Sequence, residues 1–270
     1  MKFSVLISVY YKEQSSFLDR ALSSIWHDQS VKPSQIVLVC DGILTDELYE
    51  CISKWQDTLK DMFNVVKLER NVGLADALRI GLNECKYELV ARMDSDDVSL
   101  PDRFEKQIEF FKTHDVDVCG GCVAEFDTDE NCIYAYKKVP QNHDKIVKFA
   151  KFRNPINHPS VMFKKSSVFS VDSYERMLYF EDYYLWVKMM MQEMKFYNMK
   201  EVLVKMRAGQ GQLNRRGGGQ YALCEFKFLK KLYDVRFLKF HEFVLNAAIK
   251  FAIRIMPRTI IKRIYLILRE

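Results

Sequence analysis

Apolar positions in the first half of the chain change period repeatedly. A β-branched and aromatic run, Phe3–Tyr10, predicts a strand. Phe17, Leu18, Ala21, Leu22, Ile25 and Trp26 then recur at three- and four-residue intervals, the spacing of one helix face. Ile36–Cys40 predicts a second strand, stopped by the turn dipeptide Asp41-Gly42. Leu48, Cys51, Ile52, Trp55 and Leu59 predict another helix, and Val65–Leu68 a third strand. Leu74, Ala77, Leu78 and Leu82 form a further helix face before a fourth strand, Tyr87–Met93. Strands separated by helices imply βαβ units and a mostly parallel sheet, with the ligand site at the carboxyl ends of the strands.

The second half mixes periods. Val118–Phe126 and Ile133–Lys138 predict strands around a polar turn, Asp127–Asn131. Helical stripes and strands then mix through Ile146–Phe152, Tyr183–Met194 and Val202–Met206. This half is expected to close over the first and supply a second substrate surface. Residues 208–219 hold five of the ten glycines and predict a mobile loop. From Phe237 the spacing predicts a helix with two stripes. Lys239, Glu242, Asn246, Lys250 and Arg254 lie on one, and Phe240, Phe243, Val244, Ala247, Phe251 and Ile255 on the other. Pro257 ends or kinks it.

Composition changes this picture at one place. The chain has 270 residues and a formal net charge of +5. Residues 234–270 carry eight cations and three anions, so the rest is neutral. A diffuse basic coat for nucleic acid is therefore excluded from the body. The basic tail either packs on the domain or lies in the headgroup plane of an anionic membrane. No apolar run reaches the ~18 residues a bilayer crossing needs. The N-terminus lacks a signal-peptide core, so a cytosolic chain is expected. Seven scattered cysteines suggest reduced thiols. Cys119-Gly120-Gly121-Cys122 has metal or redox spacing, but no second ligand pair follows and its surroundings read as a buried strand.

Three acidic features follow apolar runs: Asp41, Asp94-Ser95-Asp96-Asp97 and Glu181-Asp182. Each serves equally as a turn or helix cap. Three carboxylates in four residues repel unless a cation neutralises them. Asp-x-Asp at a strand end suits a hard divalent ion that shares oxygen ligands with phosphates.

Six blocks occur in an order that resembles glycosyltransferase family 2 of the GT-A fold, in its bacterial O-antigen and capsule branch. They are Ser4–Tyr10, Val39-Cys40-Asp41-Gly42, Arg70-Asn71-Val72-Gly73-Leu74, Met93-Asp94-Ser95-Asp96-Asp97 through Gln107, Asn154-Pro155-Ile156-Asn157-His158-Pro159-Ser160-Val161-Met162, and Glu181-Asp182-Tyr183-Tyr184-Leu185-Trp186. The resemblance spans residues 3–220. It implies a Rossmann-like, mostly parallel sheet with flanking helices, here followed by a C-terminal helical tail. It divides the chain into a GT-A domain, 1–233, and the basic tail, 234–270. Within the domain, 1–113 would bind nucleotide and 114–233 the acceptor.

The implied donor is a nucleotide diphosphate sugar, with uracil as the expected base. Tyr10, Asp41, Arg70, Asp94, His158, Arg207, Arg215 and Arg216 would contact it, Asp41 by accepting from the base. Asp96, with Asp94, would hold Mg²⁺ or Mn²⁺. Asp182 would be the general base, with Glu181 the alternative. An ordinary aspartate is ionised at pH 7, so such a base needs no tuning. The expected reaction inverts the anomeric carbon and builds a β-linkage on a polyprenyl-diphosphate-linked saccharide at the cytoplasmic face of the plasma membrane. The processive synthases' Gln-x-x-Arg-Trp block is absent, so one sugar per encounter is expected. The rivals are a nucleotidyltransferase of related architecture, which needs no Glu-Asp block, and a non-catalytic nucleotide-sugar scaffold, which needs no carboxylates.

Overall fold

The structure, a computed structural model, describes residues 1–208 and 219–255. The described strands form one nine-stranded sheet. Its parallel part is built from β1 (Phe3–Val9), β2 (Gln35–Cys40), β3 (Phe63–Lys67) and β4 (Leu89–Asp94), in spatial order β3-β2-β1-β4. Helices α1 (Ser15–Trp26), α2 (Asp46–Leu59) and α3 (Leu74–Glu84) connect them.

Side chains alternate between two apolar layers, one on each face. Leu6, Val37 and Val39 belong to one layer, and Val5, Ile7, Ile36 and Leu38 to the other. A strand buried on both faces reads as a continuous apolar run, which is why β2 has no polar/apolar alternation. On the first face α3 approaches closely. A Cβ on Gly81 would stand 2.5 Å from Val39 and 2.6 Å from Leu6.

The second half continues the same sheet. After the two-residue β5 (Val98–Ser99) and α4 (Arg103–Thr113), the sheet grows through β6 (Val118–Phe126), β7 (Ile133–Lys137), β8 (Met162–Lys164) and β9 (Phe196–Arg207). From β4 the order runs β8-β6-β9-β5, with β7 against β6. β4–β8 and β6–β8 pair antiparallel, and β6–β9 parallel. The short β8 and the helix α4 are not among the elements predicted above. Three residues are too few to show a period, and α4 buries Phe104, Ile108 and Phe111 at helical spacing beside the polar Arg103 and Gln107. Helices α5 (His143–Phe149), α6 (Lys165–Phe169), α7 (Glu181–Met191), α8 (Gly219–Asp234) and α9 (Phe240–Ile255) complete the described chain. Gly219 opens α8 rather than ending a loop, and α9 starts three residues after the expected point.

Cys119 and Cys122 are free thiols inside β6. Burial pushes the Cys119 thiol up to about 12. The glycines between them let β6 meet β9: a Cβ on Gly120 would stand 2.4 Å from Asn198, and one on Gly121 2.5 Å from Leu203. The motif is thus explained by strand packing.

Candidate active site

The register of the parallel strands brings their carboxyl ends together. Val9 lies opposite Cys40, and Ser8 opposite Asp94. Tyr10, Asp41 and the Asp94–Asp97 turn therefore leave the sheet side by side, at the edge where open α/β sheets bind ligands.

Asp41 is buried and joins two loops. Its carboxylate accepts from the Val72 amide at 2.7 Å and the Gly73 amide at 3.0 Å. The Asn71 side chain donates to its carbonyl at 3.2 Å. Gly42 turns the chain at φ +90°, where a Cβ would stand 2.6 Å from the Asn71 nitrogen. Only glycine fits that turn. The Asp41 carboxylate thus sits at the N-terminus of α3, where free amides and the helix dipole favour negative charge. Arg70 lies in the same loop with its side chain exposed.

At the end of β4, Arg92 and Asp94 project to the same side, two residues apart, and form an ion pair. Arg92 is almost fully buried, and its Nε and Nη1 have no hydrogen-bond partner among the described residues. Ser95 donates to Glu13 at 2.7 Å, which draws a fourth carboxylate to the turn. Asp97 accepts from the Arg207 amide at 2.8 Å, while its other oxygen is buried and unpartnered. The Arg207 guanidinium donates to the Asp96 carbonyl at 3.2 Å and stacks over Phe17. It fastens the end of β9 to the acidic turn. Burial, then Asp94 and Glu13, push the Asp96 carboxyl up to about 7. Burial and the neighbouring Asp96 and Asp94 raise Asp97 strongly.

This turn carries more negative charge than its surroundings offset, through hard oxygen donors. The residues fit a divalent cation. Among the described residues no three carboxylate, imidazole or thiol groups form a closed cage. An ion at Asp96 and Asp94 would take its remaining ligands from water or a bound diphosphate.

Glu181 and Asp182 occupy the first turn of α7, on the sheet face that Arg92 enters. Asn154 donates to Asp182 at 2.6 Å, and the Asn154 carbonyl oxygen accepts from the Ile156 amide, which fixes the amide orientation. Asp182 is not an ordinary aspartate. Burial raises its pKa, opposed by Asn154, the Tyr183 amide, Lys137 and Arg92. Burial also pushes Glu181 up to about 7. His158 lies in the core rather than on an open face. Its Nε2 is 2.9 Å from the Tyr174 hydroxyl, and burial with nearby Arg92 holds the ring neutral. Arg215 and Arg216 lie outside the described residues.

The sequence reading gave no role to Arg92, Glu13 or Asn154. A cation in the middle of the apolar run Leu89–Met93 is a signal that could have found Arg92. Nothing in the sequence brings Glu13 to Ser95, 82 residues away.

The sequence model of the family described as Glycosyl transferase family 2 matches residues 4–184. A UDP-Gal:alpha-D-GlcNAc-diphosphoundecaprenol beta-1,3-galactosyltransferase of Escherichia coli is 37% identical over 267 residues, which cover 98% of this chain and 95% of that protein. The amylovoran biosynthesis glycosyltransferase AmsE of Erwinia amylovora is 38% identical, with 97% of each chain covered. Among solved structures, S. aureus TarS 1–349 in complex with UDP-GlcNAc has a TM-score of 0.68 at 17% identity, covering 93% of this chain and 72% of that one. The mannosyltransferase PcManGT from Pyrobaculum calidifontis, in complex with GDP-Man and Mn²⁺, has a TM-score of 0.64 at 16% identity, covering 86% and 64%. These two likenesses concern the fold.

Proposed function

Because the chain belongs to glycosyl transferase family 2, we propose that it transfers one hexose, with inversion, from a uridine diphosphate sugar to a polyprenyl-diphosphate-linked saccharide. The product would be a β-linked unit of a bacterial surface polysaccharide. The names of the Escherichia coli and Erwinia relatives support the donor, the acceptor and the pathway class. Residues 1–113 would bind the donor and 114–233 the acceptor, while 234–270 would attach the chain to the cytoplasmic face of an anionic membrane. No described helix is long and apolar enough to cross one.

The observation that carries the chemistry is the Asp182 carboxylate, held by Asn154 at the head of α7. This carboxylate accepts the proton of the acceptor hydroxyl as the hydroxyl oxygen attacks the anomeric carbon. The new C–O bond forms on the face opposite the departing diphosphate, so an α-linked donor gives a β-linked product. Mg²⁺ or Mn²⁺ held by Asp96 with Asp94, when bound, supplies positive charge to the diphosphate and to the leaving nucleotide. Arg92 fixes Asp94, and Arg207 holds the backbone of the turn. Glu181, beside it in the first turn of α7, is the alternative base.

The test is a panel of nucleotide sugars offered with a synthetic lipid-diphosphate N-acetylglucosamine, with the product read by mass and by anomeric NMR couplings. A β-linked hexose from a UDP donor is expected. Asp182→Asn should lower turnover at least about a thousandfold while nucleotide-sugar affinity changes little. Full turnover in that variant would remove Asp182 from its role. Formation of a nucleotide sugar and pyrophosphate from a nucleoside triphosphate and a sugar 1-phosphate, with no transfer to the lipid acceptor, would identify a nucleotidyltransferase.

A further inference from the structure

Helix α9 is mounted with its polar side inward. Glu242 pairs with Lys151 at 2.5 Å, and Lys250 with Glu225 at 2.9 Å. Between them the buried Asn246 donates to the Lys151 carbonyl at 3.0 Å. These residues follow a four-residue interval, so they form one face, and that face meets the domain. The opposite side presents Phe240, Val244, Leu245, Ile249 and Phe251. Phe240 is 65% exposed and Phe251 68%. A surface helix of a water-soluble domain ordinarily turns such residues to the core.

The neighbouring α8 extends the apolar surface. Leu223 and Phe226 are exposed, the Phe226 ring stands 6.0 Å from Phe243, and Tyr233 stands 6.2 Å from Phe240. Exposed Lys227, Lys230 and Lys239 accompany it. Contiguous exposed apolar surface with a charged border marks an interaction site. Two occupants fit an apolar face: a second copy of the chain, or a lipid surface. A symmetric contact between copies would bring the same basic border against itself. An anionic bilayer meets the apolar side chains with acyl chains and the lysines with headgroup phosphates. The eight cations against three anions in residues 234–270 favour the same occupant.

We infer that the outward apolar face of α8 and α9 docks the protein onto an anionic bilayer, with α9 lying in the headgroup plane. The polar inward face makes this arrangement mechanically sensible. Ion pairs and an asparagine, with Phe243 and Ala247 packed against the core, hold α9 to the domain, while Phe240, Val244, Leu245, Ile249 and Phe251 stay available for lipid. The inference deepens the tail assignment above and rests on it only for the lipid-borne acceptor.

The test sediments the full chain with vesicles of phosphatidylcholine alone, and with vesicles containing about a third phosphatidylglycerol. Binding to the anionic vesicles, weakened by added salt, is expected. The double variant Phe240→Ser with Phe251→Ser should lower vesicle affinity about tenfold or more. Its melting temperature and its transfer to a short-chain, water-soluble acceptor should stay unchanged. That second readout separates this inference from the catalytic one: loss of transfer in the unmodified chain would count against the proposed function and leave vesicle binding intact. The inference is overturned if the unmodified chain stays in the supernatant, or if the double variant sediments equally well. It is also overturned if light scattering gives a dimer that the double variant dissociates while vesicle binding does not change.

Discussion

Asp182 shows how much a residue's chemistry depends on its neighbours. Its desolvation opposes ionisation, and the Asn154 side-chain hydrogen bond leads the influences that work against that cost, ahead of the Tyr183 amide, Lys137 and Arg92. Removing the bond should raise the pKa, leaving less carboxylate at neutral pH. Asn154→Ala is therefore expected to lower kcat about ten- to a hundredfold with little change in donor KM. The acid limb of its pH–rate profile should move to higher pH; a lower kcat with an unmoved limb would mean that Asn154 acts only on shape. Glu181 makes an opposite, thermodynamic prediction. Its carboxyl sits near 7 in the folded chain, above the usual glutamate value. The folded state therefore binds more protons than the unfolded one between about pH 4 and 7, and stability from this group falls as pH rises through that window. Glu181→Gln should raise the melting temperature more at pH 8 than at pH 5. An equal shift at both values would contradict the assignment. Both carboxylates could be picked from the sequence as an Glu-Asp pair, but their environments could not, because Asn154 and the packing of α7 come from distant segments.

At the scale of elements, the parallel strands and their helices were legible because each carries its own period. The Asp41-Gly42 turn was legible too, since it needs a glycine at positive φ. Elements that take their identity from tertiary contact were not legible, notably the three-residue β8. The contact of α3 with the sheet is a similar case. Gly81 reads from sequence as a weak point in a helix, yet its missing Cβ is the space that Leu6 and Val39 fill. Gly81→Ala should gain helix propensity and still lose about 1–3 kcal/mol by overpacking, read as a lower urea midpoint at unchanged m-value. A gain in stability would mean that the sheet yields more easily than the close contacts imply.

For the whole molecule, one sheet carries both the Asp94 turn and, through β8, β6 and β9, the frame on which α7 packs. The two halves should therefore unfold together. Trp55 reports the layer on one face and Trp186 the layer on the other. Variants retaining each in turn should give coincident urea midpoints by fluorescence and circular dichroism. Separate transitions would show two independent halves. The sequence by itself determined the alternation of strands and helices, the placing of carboxylates just past apolar runs, and the concentration of basic charge in the last 37 residues, because period, turn chemistry and net charge are local properties. Only the tertiary structure decided that Glu13 joins the acidic turn, that Arg92 sits beneath it, and that α9 turns its polar stripe to the domain. A helical pattern fixes which residues share a face. Which face is buried depends on partners such as Lys151 and Glu225, which the chain brings back from far along its length.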